Sequence, residues 1–299
     1  MPNHLLEIDD LSASEISEII RLSNVENPPQ VLRNKGAALL FEKPSNRTRN
    51  SMEMAIIQLG GHPITIRPDE VGIGERESAE DVARTLSCYH ALIGARVFAH
   101  STVDELSTAS TSPVVNMLSD KSHPLQALAD LLTIWDEFGT FEGRIVSYVG
   151  DANNVARSLA IACGLMGIEF RIAHPNGYGF SESDEEAIRG VGTQFSATQN
   201  PREAVGGANV VYTDVWASMG QEEEREKRLA DFEGYTVGDK LFELSSEDSI
   251  FMHCLPAHPG EEVSRSVLDS GKSRIWEQAE NRMHAARGFL LHIFQEENQ

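Results

Sequence analysis

Cysteine is scarce in this 299-residue chain: Cys88, Cys163 and Cys254 stand far apart, with no C-x-x-C pair. That excludes a disulfide framework and a zinc ribbon and points to a reducing compartment. Basic runs are missing too. Lysine supplies only six of the 25 basic residues, and against 46 acidic ones the net charge is −21. Such a chain repels a polyphosphate backbone, so no nucleic-acid partner is expected. No apolar run approaches the roughly 18 residues that span a bilayer, and residues 1–10 are polar and acidic. No membrane partner and a cytoplasmic location are the expectations. Repeats and low-complexity tracts are absent, while 40% apolar residues over this length suffice for about two domains, each with its own core.

What the sequence does contain is an alternation of short apolar runs and helical-period segments, the pattern of βαβ units around parallel sheets. In the first half, Ala37 to Phe41 reads as a strand, followed by a helix on Met52, Ala55, Ile56 and Leu59 that Gly60 and Gly61 stop. Pro63 to Ile66, Ala91 to Ala95 and Pro113 to Val115 are further strands, Ser78 to Ser87 is helical, and a helix on Leu128, Leu131, Leu132 and Trp135 ends near Gly139. The second half repeats the scheme. Ile145 to Val149 runs into a helix on Val155, Leu159, Ala162, Cys163 and Met166, and Phe170 to Ala173, Asn209 to Tyr212 and Ile250 to His253 supply three more strands. The expected fold is α/β, with two doubly wound parallel-sheet domains, residues 1–138 and 139–275, and a terminal helix within 276–299. Trp276, Ala279, Met283, Ala286 and Leu290 form the stripe by which that helix should pack. The densest charge cluster, Gln221 to Arg228, reads as a solvated helical face.

In open α/β sheets ligands lie beyond the carboxyl ends of the strands, so the polar residues that follow each strand carry the functional reading. After the first strand, Ser45, Asn46, Arg47, Thr48 and Arg49 put hydroxyls, guanidiniums and the first free N–H groups of a helix together, which suits an anion. A serine cap followed by solvent-facing arginines is the bland alternative for the same string. Arg96 ends an apolar strand, and His123 and Gln126 open a helix. A neutral histidine and a glutamine can donate to a carbonyl oxygen and accept from an amide, although a capping histidine is the commoner case. In the second half, Asp214 suits an ammonium group, and Asn154, Ser218 and the Met219 main-chain N–H suit the polar ends of an amino acid. A strand ending in an Asp-capped turn would look the same. His253 and Cys254 are neighbours on a strand and point to opposite faces, so a cysteine-hydrolase dyad is rejected. His253 and His258 lack the spacing of a zinc site, and no metal is expected.

Taken together, these segments resemble the transcarbamoylase family over nearly the whole chain, most closely its ornithine-specific members. Ser45 to Arg49 is similar to the family's S-T-R-T-R signature, with Asn46 in place of the usual Thr, and His123 to Gln126 to its H-P-x-Q. Asp214 to Gly220 resembles the D-x-x-x-S-M-G loop, His253 to Pro256 the H-C-L-P element, and Glu280 to His284 the E-N-R-x-H element on a final helix that returns to the first domain. The resemblance implies that Ser45, Asn46, Arg47, Thr48 and Arg96 hold the phosphate of carbamoyl phosphate. It places His123 and Gln126 at the carbamoyl end, and Cys254, Leu255 and Arg282 closing that site. Asn154, Asp214, Ser218 and Met219 would bind L-ornithine, with Arg96, His123, Asp214 and Cys254 catalytic. It further implies L-citrulline and phosphate as products, no cofactor, and a homotrimer or an assembly of trimers in which a loop from Glu70 to Ser78 reaches a neighbour. The rivals are a transcarbamoylase for aspartate, putrescine or an N-acylated ornithine, and a non-catalytic paralogue. A nicotinamide-dependent oxidoreductase is set aside because the loop after Val149 lacks G-x-G-x-x-G.

Overall fold

The computed structural model describes residues 3–74, 76–217 and 224–296. It divides into two compact units, Met1–Leu132 with Glu280–Gln299, and Thr133–Ala279. Each is a parallel sheet flanked by helices.

The first unit is built on β1 (Gly36–Phe41), β2 (His62–Ile66), β3 (Leu92–Arg96) and β4 (Val114–Leu118) in the order β2-β1-β3-β4. The strands β1, β3 and β4 are nearly all buried, as strands covered on both faces must be, whereas β2 lies at the edge and stays half exposed. On one side, Ala79, Val82, Ala83, Val103 and Leu106 of the Ala79–Ser87 and His100–Ala109 helices pack with Leu40, Ile93, Ala95 and Val114 of the sheet. The fourth strand runs past the expected Val115 because Asn116, which interrupts the apolar run, is itself fully buried and donates to the Leu6 carbonyl at 2.9 Å.

The second unit holds β5 (Ile145–Val149), β6 (Glu169–Ala173), β7 (Phe195–Thr198), β8 (Val210–Thr213) and β9 (Ile250–His253) in the order β7-β6-β5-β8-β9. Trp216 stacks on Phe232, ring centroids 5.1 Å apart, within a core that includes Val149, Val211 and Phe251.

Two sequence expectations are corrected. Trp276 is 71% exposed, so it does not begin the packing stripe of the Ile275–Glu296 helix. The buried face instead opens on Ile275 and polar Gln278, whose Nε2 donates to the Tyr212 hydroxyl at 3.0 Å and whose Oε1 accepts from His253 N at 2.9 Å. Arg228 is likewise not on a solvated face: it is buried and paired with Asp151 at 2.7 Å.

Within the first unit the Ile275–Glu296 helix lies so close to the Ala13–Ser23 helix that a Cβ on Gly288 would sit 2.2 Å from Ser23 Oγ and 2.5 Å from Ile19 O. Only a residue without a side chain fits there. Gly288→Ala is expected to destabilise the protein by about 1–3 kcal/mol through overpacking, measured as a shift in the denaturant midpoint at unchanged slope. An unchanged midpoint would show that the two helices separate freely.

Candidate active site

In each sheet the chain reverses its direction of progress once, and a crevice forms where it does so. In the first unit the reversal lies between β1 and β3, so the segments after Phe41 and at Arg96 are brought side by side. Ser45 caps the Asn46–Gln58 helix, its hydroxyl accepting from Thr48 N at 3.2 Å. The turn that follows carries Thr48 inward, 2% exposed, and leaves Arg47 half-buried. Thr48 Oγ1 accepts from Arg96 Nη1 at 3.3 Å and from Arg282 Nη2 at 3.4 Å. The other end of the Arg282 fork donates to Gln126 Oε1 at 2.6 Å, and Gln126 Nε2 donates to Asp130 Oδ1 at 2.8 Å. Arg49, by contrast, turns away to pair with Glu53 at 2.9 Å, and Asn46 is exposed with its side-chain oxygen accepting from Asn50.

Arg96, Arg282, Gln126 and His123 are all buried. Gathering like charges in a dry place is unfavourable unless an anion joins them, so a site of this kind in an acidic protein is built for an anion. His123 reports the same field. Burial, and then the Arg282, Arg96 and Arg47 guanidiniums beside it, hold its pKa well below the ordinary histidine value of 6.5. It is neutral at physiological pH and keeps one ring N–H to donate.

A stability consequence follows from linkage. The unfolded chain protonates His123 below about pH 6.5 while the folded protein resists, so this residue's contribution is complete above that pH and is lost progressively as the pH falls. The melting temperature should drop between pH 7 and pH 5, and His123→Gln should flatten that drop. An identical slope in the variant would count against the buried neutral imidazole.

In the second unit the reversal lies between β5 and β8, which juxtaposes the Gly150 to Asn154 turn with Asp214. Asn153 caps the Asn154–Leu165 helix: its Oδ1 accepts from Val155 N and Ala156 N at 3.0 Å, and its Nδ2 donates to Asp214 Oδ2 at 3.1 Å. Asp214 is 7% exposed, and its Oδ1 accepts from its neighbour Val215 N at 2.8 Å and from the Cys254 thiol at 3.1 Å. A carboxylate held by three donors has a fixed direction. A ring nitrogen of His253 lies within 4.8 Å of Asp214 and Cys254, but both nitrogens are engaged by other groups: Nδ1 accepts from Leu255 N at 2.9 Å, so Nε2 carries the proton and donates to the fully buried Glu262 at 3.2 Å. That arrangement denies Cys254 a histidine base. It also fixes Leu255, which takes the left-handed φ of +61°.

The expected residues therefore assemble as two sets. Ser45, Arg47, Thr48, Arg96, His123, Gln126 and Arg282 gather in the first unit, and Asp214 and Cys254 meet in the second, with Asn154 beside the Asn153 cap. Ser218 and Met219 lie outside the described residues. Asn153, which like Asn154 follows a strand in the sequence, orients Asp214. Asp151 has no sequence signal of its own and receives Arg228, which also donates to the Trp216 carbonyl at 3.0 Å. Burial pushes the Asp151 carboxyl up against the pull of that guanidinium. Nothing in the local string distinguishes Arg228 from the charged residues around it.

Comparisons with known proteins identify the family. Residues 3–136 match the aspartate/ornithine carbamoyltransferase family's carbamoyl-P binding domain, and residues 142–293 match its Asp/Orn binding domain. The chain belongs to the aspartate/ornithine carbamoyltransferase family. An ornithine carbamoyltransferase of Thermus thermophilus is 45% identical over 97% of this chain and 96% of its own length, and one of Haloquadratum walsbyi is 41% identical over 98% of each. The solved ornithine carbamoyltransferase of Pyrococcus furiosus superposes with a TM-score of 0.92 at 43% identity, over 96% of both chains.

Proposed function

We propose that the protein transfers the carbamoyl group of carbamoyl phosphate to the side-chain amine of L-ornithine, giving L-citrulline and phosphate. The observation that carries the amine half is Asp214, held by Asn153, Val215 N and Cys254 at the switch point of the second sheet. It stands at the head of the D-V-W-A-S-M-G segment that includes Ser218 and Met219. A directed carboxylate attracts the ammonium of an amino acid and repels a second carboxylate, which disfavours aspartate as the acceptor. Asn154, Ser218 and Met219 complete the amino-acid set.

In the first unit, Ser45, Asn46, Arg47, Thr48 and Arg96 bind the phosphate, and His123, Gln126 and Arg282 serve the carbamoyl end. Leu255 and Cys254 come from the His253 to Pro256 element. The uncharged amine attacks the carbamoyl carbon, the carbonyl electrons move to oxygen, and the tetrahedral intermediate collapses as the C–O bond to phosphate breaks. The amine proton leaves with the departing phosphate. Neutral His123 and the Arg96 fork donate to the developing oxyanion and to the leaving oxygens, which is where fixed donors have their largest effect. Asp214 and Cys254 orient the amine. The residues themselves supply every step, with no cofactor or metal.

The assembly is a homotrimer, or a larger set of trimers, of a cytoplasmic enzyme. Self-association is supported by Met54, Ile57 and Ile64, exposed apolar residues on the Asn46–Gln58 helix and the edge strand β2. Sizing by light scattering reads the oligomer directly.

The test of the activity is citrulline formation from carbamoyl phosphate and L-ornithine, with aspartate, putrescine and N-acetylornithine assayed beside it. Turnover with ornithine alone is expected. Turnover with another amine would keep the first unit's reading and overturn that of Asp214, and binding of carbamoyl phosphate without turnover on any amine would identify a non-catalytic paralogue.

A further inference from the structure

We propose that His100 and Asp120 are positioning residues that lock the three anion-binding loops of the first unit into one rigid set; the proposal rests on the reading of that unit as the carbamoyl-phosphate site. The loops come from distant parts of the sequence. One follows β1 and carries Ser45 to Thr48, one follows β3 and starts at Arg96, and one follows β4 and leads to His123. Past the ends of the strands, contacts outside the ladders proper must hold their spacing.

Segment 97–100 does so. On one side Glu42 N donates to Arg96 O at 2.8 Å and Phe98 N donates to Glu42 Oε2 at 2.6 Å, tying it to the Ser45 loop. On the other side Val97 N donates to Leu118 O at 2.9 Å, Asp120 N to Phe98 O at 3.0 Å, and His100 N to Asp120 Oδ1 at 2.8 Å. The last link is made by the imidazole. His100 Nδ1 lies 2.8 Å from Ser119 Oγ, and both residues are buried. Ser119 Oγ also accepts from Asn116 Nδ2 at 3.1 Å and Ser122 N at 3.2 Å and reaches the Ser122 carbonyl at 3.4 Å, so the imidazole joins a hydroxyl that already ties Asn116 to Ser122. The opposite ring nitrogen, Nε2, faces Glu7 at 3.6 Å and Asp104 at 3.8 Å. Lys121 pairs with the same Glu7 at 2.6 Å, so the loop before His123 is held from both flanks.

These groups touch no substrate atom; they set where Arg96 and His123 stand relative to Thr48. A displacement of about 1 Å in such a constellation lowers rates by as much as roughly 10²-fold. The measurement is steady-state kinetics of His100→Ala, His100→Asn and His100→Gln, with both KM values and kcat determined, beside calorimetric binding of inorganic phosphate. Asparagine places a hydrogen-bonding amide where Nδ1 stood; glutamine reaches only the Nε2 position. Ala and Gln are expected to raise the KM for carbamoyl phosphate by about 10-fold or more and to weaken phosphate binding in parallel. The ornithine KM at saturating carbamoyl phosphate should stay unchanged, and Asn should recover most of the loss.

Equal behaviour of Asn and Gln, or lower melting temperatures with both KM values unchanged, would overturn the proposal. If the Ala variant does not fold, the Asn and Gln pair decides alone, supported by Asp120→Ala against Asp120→Asn, of which only the second keeps an acceptor for His100 N. Phosphate binding separates the two readings. A wild type that binds phosphate but makes no citrulline removes the amine assignment and leaves His100 to be judged on phosphate affinity; a wild type that binds no phosphate removes both.

Discussion

Arg96→Met is expected to lower kcat by roughly 10²–10³, the usual loss when one fixed donor to a developing oxyanion is removed, without lowering the melting temperature of the ligand-free protein. The two halves of that result have one cause. Arg96 is 6% exposed, lies 3.3 Å from Thr48 Oγ1, and shares its surroundings with Arg47 and Arg282. Gathered with two other guanidiniums, its charge gains most when an anion joins them, which is the part proposed for it in the reaction. Methionine preserves the stem and removes the charge. Arg96→Lys should fall between, because an ammonium restores charge but cannot present two parallel N–H bonds. Initial rates at saturating substrates together with thermal melts settle the matter. A Met variant that retains most of its turnover would show that Arg96 serves the fold and not the anion.

The second large effect is expected at Asp214. Its two oxygens accept from Asn153 Nδ2, Val215 N and the Cys254 thiol. Asp214→Asn keeps the shape but turns an NH2 group toward at least one of those donors, while removing the charge that an ammonium group seeks. Losing one member of a buried charged pair costs about 2–5 kcal/mol, which corresponds to a roughly 30-fold to several-thousand-fold loss in kcat/KM for ornithine. Carbamoyl-phosphate affinity, carried mainly by the arginines of the other unit, should change far less. An Asn variant with the parent's ornithine kinetics would remove Asp214 from the amine's environment.

How far such a site can be read from sequence depends on how local each signal is. The strands β1, β3, β5, β6, β8 and β9 stand out as apolar runs because both of their faces are covered. Phe195–Thr198 does not, since an edge strand of four residues with two exposed positions has no run to show. The Ala13–Ser23 helix does carry a signal, its Ser12 cap and buried Ile16, Ile19 and Ile20, but it precedes the first strand and so falls outside the βαβ alternation. On the terminal helix the packing face runs from Ile275 through polar Gln278, Asn281 and Arg282, and apolar periodicity therefore points to Trp276 instead. The same contrast holds in the site. Ser45 to Arg49 and His123 to Gln126 are contiguous strings at element starts, so their chemistry is legible from residue order alone. Arg228, His100, Asp120 and Glu42 are single charged or polar residues in loops or on helices. Their importance exists only in the partners that folding gives them.

One consequence of the order of elements concerns how the protein is made. The first unit is discontinuous: residues up to Leu132 join those from Glu280 onward. A ribosome that has emerged residues 1–279 has delivered every residue of the second unit, yet the first still lacks Arg282, the guanidinium that binds Thr48 and Gln126 together. Because domains fold as units during synthesis, the nascent chain holds Arg96 and His123 in a half-assembled anion site until the terminal helix is released. An anion site that needs Arg282 is therefore complete only after residues far beyond the second unit's first strand have been made and have joined the first unit.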